Sequence, residues 1–567
     1  MPRAPAILQH LERRAQRLLA TGLLLLLVGG LVWLKAGYRI TNGYGIDGRY
    51  YLQLARHIQE GDGLVSSVSL YHQGFRTWPH RVNQTPLWPL MLGAGARLTS
   101  LDVAGRRLPE LLWVLDLFLV YALANRLWNR VAQRPAAGWL GSGVPNLGHA
   151  AVLLIGTNPV LFRFTSAPYS EALGFALAFG GLLALDLAAE RGSARWAALC
   201  GVLCALAVLT RGQLVVLLLA VLGGLVLAAR GHERGWRLPA MAAAMVIVVF
   251  APWIAYLASW VPRLTPTVVL GFATVPEALS LPTYDFWVTT DSLGDYLWDR
   301  GNGLLVAFTY GHRQSYSASH GPAVYLLFAA LAVVAVLLAR CPRRVFDWFG
   351  PQQALVWAML AIGIGTLLPV HHAHAKIIFE WLFGHRHGLP LVFLLIPAMA
   401  CLFAQRLVVV RLATAIVVGW TGIAGAVRIA EAGKVSDGIK PPDHYFARWI
   451  DERPEPPIIL TTKPTNMAYL SRGRFHWTAC MESADTTRKL IEDTGVEYVA
   501  VFRQQRKCPY FVGMTEDELY PIETFGHKPR IVLFATKHAP EFPAILRKRL
   551  RQHKRSTEPA LPPGLWR

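Results

Sequence analysis

The chain has 567 residues, of which 53% are hydrophobic and only 16% are charged. Soluble domains carry roughly 25% charged residues, so this composition excludes an ordinary soluble protein and indicates a polytopic membrane protein. The net charge of +21 does not indicate a nucleic-acid partner. The basic residues flank hydrophobic segments or lie in the first loop and the C-terminal region. They do not form a soluble basic domain with interspersed aromatic residues, as a nucleic-acid-binding protein would have.

Hydropathy and length predict about 11 membrane spans. The first span follows a basic N-terminus without a small-residue cleavage site, so we interpret it as a retained span rather than a signal peptide. With the N-terminus in the cytoplasm, the short arginine-rich loops all fall on the cytoplasmic side and the C-terminal region lies outside. The predicted spans centre on Leu25, Phe118, Leu154, Gly180, Leu206, Val221, Val248, Ala332, Ala361, Ile396 and Val417.

The first loop (about residues 37–107) contains a segment with helical periodicity over residues 46–58. Its apolar side chains recur every four residues, at Ile46, Tyr50, Leu54 and Ile58, and therefore share one face. The opposite face carries Arg49, Gln53 and Arg56. We expect this amphipathic helix to lie along the membrane surface. It would hold Asp47 at the bilayer edge, where a lipid-linked substrate presents its head group.

The chain changes character after about residue 430. Strand patterns occur near residues 457–460, 496–501 and 530–534, with a helical pattern over 485–494. We therefore predict three parts: a transmembrane region over 1–430, a soluble extracytoplasmic α/β domain over 431–540, and a basic, disordered tail over 541–567.

Two cysteines, Cys480 and Cys508, fall in the predicted α/β domain. An exported compartment is oxidising, so we predict a disulfide bond between them, with two buried thiols as the alternative. No Cys/His spacing typical of a metal site occurs in the chain.

Several short motifs fall in order at predicted outer-face positions. Their segments are D-G-x-Y-Y-x-x-x-A-R at 47–56, Q-T-P-L at 84–87, S-E at 170–171, L-T-R at 209–211 and H-R-H-G-L-P at 385–390. Together they resemble the GT-C membrane glycosyltransferases, in particular the dolichyl-phosphate-mannose protein mannosyltransferases and the bacterial aminoarabinose transferases. The chain departs from the family's P-P-L stretch, because Thr85 replaces one proline and Gln84 the usual preceding lysine.

The resemblance implies an α-helical polytopic GT-C-like fold, a polyprenyl-phosphate sugar donor, an inverting transfer and an active site on the extracytoplasmic face. It also indicates the bacterial inner membrane. Physical reasoning agrees, because a lipid-phosphate donor keeps its tail in the bilayer while its head group reaches the interface. The transfer needs a base for the acceptor's proton and cations for the departing phosphate.

Two acidic residues are the predicted catalytic groups. Asp47 is the predicted base, and the alternative is a plain helix N-cap. Glu171 would bind a metal ion or orient the acceptor, or else is simply a charge in the first turn of a helix. Whether a divalent metal ion takes part as a cofactor stays open.

The remaining site residues are predicted to bind the substrates. Cations near outer-face span ends are uncommon unless they are paired or functional, and snorkelling to lipid head groups is the alternative. The predicted donor-phosphate ligands are Arg211, Arg386, Arg163 and Lys376. The predicted substrate-binding residues are Arg49, Tyr50, Tyr51, His372 and His387, with an ordinary interfacial role as the alternative.

Three other functions are alternatives to a lipid-linked sugar transferase. A transporter or flippase of lipid-linked sugars would use acids inside spans, such as Asp116 and Asp186, but we find no internal repeat. A lipid-linked glycan ligase shares the compartment and the chemistry. A membrane-anchored sensor would read its signal through the C-terminal domain, which carries no recognisable binding motif.

Overall fold

The structure is a computed structural model. It describes residues 6–41, 46–69, 78–132, 145–232, 235–271, 352–365, 392–403, 408–432, 434–436, 439–478, 483–503, 508–514, 518–526 and 530–553. The chain divides into two compact units. The helical unit comprises residues 1–40, 106–256 and 287–435, and the mixed unit comprises residues 41–105, 257–286 and 436–567.

The described helices, in chain order, are α1 (Ala6–Gly37), α2 (Ile46–Glu60), α3 (Leu87–Leu98), α4 (Leu101–Ala132), α5 (Leu147–Gly156), α6 (Pro159–Phe164), α7 (Glu171–Arg191), α8 (Ala194–Thr210), α9 (Val215–Ala229), α10 (Arg237–Ala258), α11 (Pro266–Val269), α12 (Gln353–Gly365), α13 (Val392–Phe403), α14 (Val408–Ala432), α15 (Pro441–Asp451), α16 (Pro464–Leu470), α17 (Ala484–Thr494), α18 (Pro509–Val512) and α19 (Phe542–His553). The described strands are β1 (Arg39–Thr41), β2 (Val65–Ser66), β3 (Val68–Ser69), β4 (His80–Arg81), β5 (Lys434–Ser436), β6 (Ile458–Thr461), β7 (Arg474–Trp477), β8 (Tyr498–Phe502), β9 (Tyr520–Phe525) and β10 (Ile531–Ala535).

The long helices have the length and composition of membrane spans. Six helical segments of the described chain, between 18 and 29 residues long, are apolar enough to cross a bilayer. Their outer surfaces carry large apolar side chains, such as Leu26 and Trp33 of α1 at 76% and 79% exposure, as expected where lipid replaces water. Every predicted span centre except Ala332, which lies outside the described residues, falls within a helix. The chain is an α-helical polytopic membrane protein.

The core of the mixed unit is a six-stranded sheet in the order β3-β7-β6-β8-β10-β9. The pairs β3–β7, β7–β6 and β6–β8 are parallel, whereas β10 is antiparallel to both β8 and β9. The strands predicted near 457–460, 496–501 and 530–534 are confirmed as β6, β8 and β10, and the helix predicted over 485–494 as α17. Central strands such as β8 and β10 are buried along their whole length, which explains their continuous apolar sequences.

The first loop contributes directly to this sheet. Strand β3 pairs with β7, so that Val68 lies opposite Phe475 and Ser69 opposite His476. The sequence placed the first loop with the transmembrane part, over residues 1–430. The structure instead packs it with the C-terminal chain in the mixed unit.

Helix α2 is buried by protein on both of its faces. Tyr50 and Leu54 lie in the same hydrophobic core as Val68 and Phe475. On another side α3 approaches closely, since a Cβ added at Gly93 would come within 3.1 Å of Ile58 Cγ2. The apolar face of α2 therefore contacts protein rather than lipid, and the position of α2 along the membrane surface stays a prediction. Its apolar face packs on protein, because a period of 3.6 residues suits a protein core as well as a lipid surface.

Candidate functional site

Asp47 lies in the first turn of α2 and is partly exposed. The eight residues that follow it, 48–55, are all buried. A carboxylate in the first turn is stabilised by the helix dipole, so the position suits both a charged base and a helix-terminal structural role. The buried residues 48–55 hold the start of α2, and with it Asp47, in a fixed position.

The polar face of α2 is hydrogen-bonded to the protein. The Arg49 side chain, 3% exposed, donates from Nη1 to Oδ1 of Asn466 in α16. Gln53 donates from Nε2 to Ser66 Oγ at 2.9 Å and accepts from the Ser67 backbone at 3.2 Å. These bonds satisfy polar groups that burial would otherwise penalise, and they bind α2 to neighbouring parts of the mixed unit.

Arg56, one turn further along, donates to main-chain carbonyl oxygens around the end of α16. Its closest partner is the carbonyl of Tyr469, and Ala468 O lies 3.4 Å from Nη1. Burial lowers the pKa of Arg56, against the opposing effect of Glu60 and other acidic neighbours. Arg49 and Arg56 thus connect the first loop to a segment more than 400 residues later.

The two tyrosines predicted to bind substrate are buried. Tyr50, 8% exposed, belongs to the hydrophobic core of the mixed unit. Tyr51 is 5% exposed, and its hydroxyl accepts a hydrogen bond from Gln84 Nε2 at 3.3 Å. Their contacts, like those of Arg49, are with protein, and their roles in substrate binding stay predictions.

Glu171 and Arg211 are brought together in the helical unit. Glu171 is the first residue of α7, and Arg211 follows the last residue of α8. Arg211 Nη1 forms an ion pair with the Glu171 carboxylate, with side chains 16% and 3% exposed. Nε of Arg211 donates to Gln213 Oε1 at 2.9 Å. The sequence predicts a catalytic role for Glu171 and a phosphate-binding role for Arg211, and the fold joins the two residues as one ion pair.

Lys35, in the last turn of α1, is a buried cation that sequence reasoning missed. Its Nζ donates to Thr165 Oγ1 at 2.8 Å and lies 4.1 Å and 4.6 Å from the ring centroids of Trp113 and Phe162. Cation–π contacts of this kind stabilise a desolvated ammonium group. A lysine within an apolar span was the sequence signal that could have identified it.

Arg163, in α6 of the same unit, is half-buried, and its phosphate role stays a prediction.

Four predicted site residues lie outside the described residues. They are Lys376, Arg386, His372 and His387. Cys508 is disulfide-bonded, but Cys480 also lies outside the described residues, so their pairing stays a prediction.

One group of side chains has the composition of a metal site among the residues that the structure describes. Ligand atoms of His57, Glu60 and Asp62 lie within 4.8 Å of one another. However, His57 Nδ1 is 2.8 Å from Asp62 and Nε2 is 2.8 Å from Ser67 Oγ, so both ring nitrogens already have protein partners. The group is at the opposite end of α2 from Asp47, about 15 Å away at 1.5 Å per residue. We do not assign it to the candidate active site.

A buried imidazole pair lies where the first loop meets the sheet. The Trp78 ring makes T-shaped contacts with His80 and His476, at centroid distances of 5.2 Å and 5.1 Å. Burial, with smaller contributions from His476 and His57, lowers the pKa of His80 to about 3. The imidazole of His80 is therefore neutral at physiological pH and acts here as a packing element.

No protein-family model and no curated protein sequence matches the chain. Solved structures do. The oligosaccharyltransferase of Archaeoglobus fulgidus in the apo form matches over 91% of this chain and 74% of its own, with 12% identity and a TM-score of 0.53. The mycobacterial arabinofuranosyltransferase AftD matches over 90% of this chain and 40% of its own, with 16% identity and a TM-score of 0.52.

A third solved structure, ArnT from Cupriavidus metallidurans bound to undecaprenyl phosphate, aligns over 92% of this chain at 15% identity and a TM-score of 0.45. The first two matches each extend over at least nine-tenths of this chain and therefore show its fold. The chain has the GT-C fold of these membrane glycosyltransferases, and the fold implied by the sequence motifs is confirmed.

Proposed function

We propose that the chain is a membrane glycosyltransferase that moves a sugar from a polyprenyl-phosphate donor to an acceptor hydroxyl on the extracytoplasmic face, with Asp47 as the base. The fold shared with an oligosaccharyltransferase and an arabinofuranosyltransferase supports the enzyme class. The motif that begins at Asp47, which resembles the GT-C family, supports a polyprenyl-phosphate sugar as the donor.

The observation that carries the proposal is the position of Asp47. Asp47 is partly exposed at the start of a helix whose next eight residues are buried, and the Arg49, Tyr51 and Gln53 side chains among them are hydrogen-bonded to the protein. A general base must be accessible to its substrate and held in a constant position. Asp47 meets both requirements.

The proposed reaction is a single displacement. Asp47 removes the proton of the acceptor hydroxyl while the acceptor oxygen attacks the anomeric carbon of the sugar. The bond between that carbon and the phosphate oxygen breaks, and the electron pair leaves with the polyprenyl phosphate. Attack opposite the leaving group inverts the anomeric configuration.

Arg211 is the described residue that we propose for the leaving phosphate. Its Nε and Nη1 are occupied by Gln213 and Glu171. Nη2 makes no hydrogen bond to any residue in the described part of the chain, and a guanidinium can hold a carboxylate and a phosphate together. Glu171 then orients Arg211. The four predicted residues outside the described ranges stay proposals from the motifs alone.

The transporter alternative receives less support. It relied on Asp116 and Asp186 as acids inside spans, and Asp186 forms an ion pair with Arg126. The ion pair with Arg126 accounts for the charge of Asp186 without a role in transport.

The test is donor turnover by purified full-length protein in nanodiscs. The protein is incubated with a panel of polyprenyl-phosphate sugars and with lipid-linked oligosaccharides, and release of the lipid phosphate is measured by mass spectrometry. Asp47→Asn should reduce turnover by about 100-fold or more. Glu60→Gln, the same charge change at the exposed end of α2, is the matched control and should leave turnover unchanged.

Two results would count against the proposal. Turnover by Asp47→Asn at the wild-type rate would remove Asp47 as the base. Absence of turnover with every donor, by folded protein, would remove the sugar-transferase assignment. Turnover confined to oligosaccharide donors would identify the ligase alternative.

A further inference from the structure

We propose that the mixed unit contains a binding site for a phosphate-type oxyanion, at the carboxyl ends of strands β6 and β7. The site comprises Lys463, Arg49 and the hydroxyls of Thr462 and Thr478. The proposal does not depend on sugar transfer.

The topology brings these residues to one edge of the sheet. Strands β6 and β7 are parallel, and Thr461 lies opposite Trp477 at the end of their pairing. The next residues, Thr462 and Thr478, therefore follow the ends of adjacent strands, and the Thr478 amide donates to Thr461 O at 3.1 Å. In open sheets with parallel strands, ligands bind preferentially at the carboxyl ends of the strands.

The two threonine hydroxyls are unsatisfied. Oγ1 of Thr462 and Oγ1 of Thr478 are both buried and have no hydrogen-bond partner among the residues that the structure describes, and Thr478 is 0% exposed. Buried polar atoms are nearly always hydrogen-bonded in native proteins. Two unsatisfied hydroxyls at neighbouring strand ends therefore indicate a ligand that accepts hydrogen bonds from both.

The local charge indicates that this ligand is an anion. The charged neighbours that act on Lys463 are one carboxylate, Asp443, and two cations, Arg530 and Arg49. Asp443 is itself 3.6 Å from Arg530 Nε. Lys463 forms no ion pair with any described residue, and its Nζ lies 4.6 Å above the ring of Phe502.

Electrostatics supports the same reading. Burial lowers the pKa of Lys463. The nearby charges of Arg530 and Arg49 lower this pKa further, whereas Asp443 raises it. An anion placed among these cations would relieve their mutual repulsion. Lys463 and Asn466, one turn apart, are both associated with Arg49, which donates to the Asn466 side chain.

Phosphate fits this donor set better than a carboxylate. A tetrahedral oxyanion presents acceptor oxygens in several directions, and arginine, lysine and two hydroxyls supply donors from two strand ends and from α2. The phosphate could belong to a lipid head group or be free in solution. The chemistry is the same in both cases, and the experiment separates them.

The experiment measures binding by full-length protein in nanodiscs, with inorganic phosphate in one arm and a water-soluble short-chain isoprenyl phosphate in the other. Isothermal titration gives the dissociation constant for wild type and for each variant. Lys463→Gln is expected to weaken phosphate binding by about tenfold or more, because a charge-assisted contact is lost. Thr478→Val preserves the shape of the side chain and should weaken it by about threefold to tenfold.

Lys489→Gln is the matched control, since it removes the same charge from an exposed position on α17 and should leave the constant unchanged. Weaker binding of both ligands in the two site variants identifies a site that admits a lipid phosphate. Weaker binding of inorganic phosphate alone identifies a site for a free oxyanion. The proposal is overturned if folded wild type binds neither ligand, or if Thr478→Val and Lys463→Gln bind as tightly as the control. Asp47→Asn should bind phosphate normally, so failure of the catalytic proposal would leave this result intact.

Discussion

Acidification below pH 6.5 is expected to destabilise the mixed unit through His80. This side chain, on β4, is 4% exposed, and burial is the main reason that its pKa is lowered to about 3. In the unfolded chain a histidine has a pKa of about 6.5. Below that pH the unfolded state binds a proton that the native state excludes, so stability falls as the pH falls towards 3. Above pH 6.5 both states are neutral and the effect vanishes.

The size of the effect follows from the two pKa values. Between pH 7.5 and pH 5, linkage predicts a loss of about 2 kcal/mol in the free energy of unfolding from this one group. Denaturant unfolding of the purified protein at the two pH values, followed by tryptophan fluorescence, measures it. His80→Gln should reduce the pH-dependent loss by that amount. His538→Gln, which replaces a partly exposed histidine of the same unit, is the control. If wild type and His80→Gln lose the same stability between these pH values, His80 is not buried as a neutral group and the reasoning fails.

Three further changes test the packing and the covalent structure. Gly93→Val forces a side chain into the contact between α2 and α3, so thermal unfolding should show a loss of about 1–3 kcal/mol, and an unchanged melting temperature would contradict the contact. Arg211→Met leaves the Glu171 carboxylate, 3% exposed, without its cation and should cost about 3 kcal/mol. Neutralising Glu171 as well should recover much of that loss, and an additive double variant would speak against the pair. Reduction of intact protein should add about 2 Da if Cys480 and Cys508 are bonded to each other, and peptide mapping that pairs Cys508 with another cysteine would refute this assignment.

Local sequence patterns predicted many elements of this protein, but the tail predicted as disordered over 541–567 begins with a helix, α19 (Phe542–His553). The span centres, such as Leu25 in α1 and Val248 in α10, lie inside helices, because a run of about 20 apolar residues has few alternatives to a spanning helix. The strands β8 and β10 were predictable for a similar reason, since continuous apolar runs mark strands buried on both faces. The short motifs taken together, in their order along the chain, were sufficient to indicate the GT-C fold.

The surroundings of α2 were not predictable from its sequence. Its apolar stripe is equally suited to lipid and to a protein core, so periodicity alone indicated the membrane surface. The structure places Tyr50 and Leu54 against the sheet, and β3 extends that sheet from within the first loop.

The partners of the charged residues are the part that only the tertiary structure decided. Arg49 and Asn466 are separated by 417 positions, and Glu171 and Arg211 by 40. Nothing in the local pattern around any of these residues specifies the other. Hydropathy determines which segments enter the membrane or a core, because transfer free energy depends on the composition of a short segment. Which cation meets which acid or amide depends on how distant segments pack, and local composition does not specify that packing.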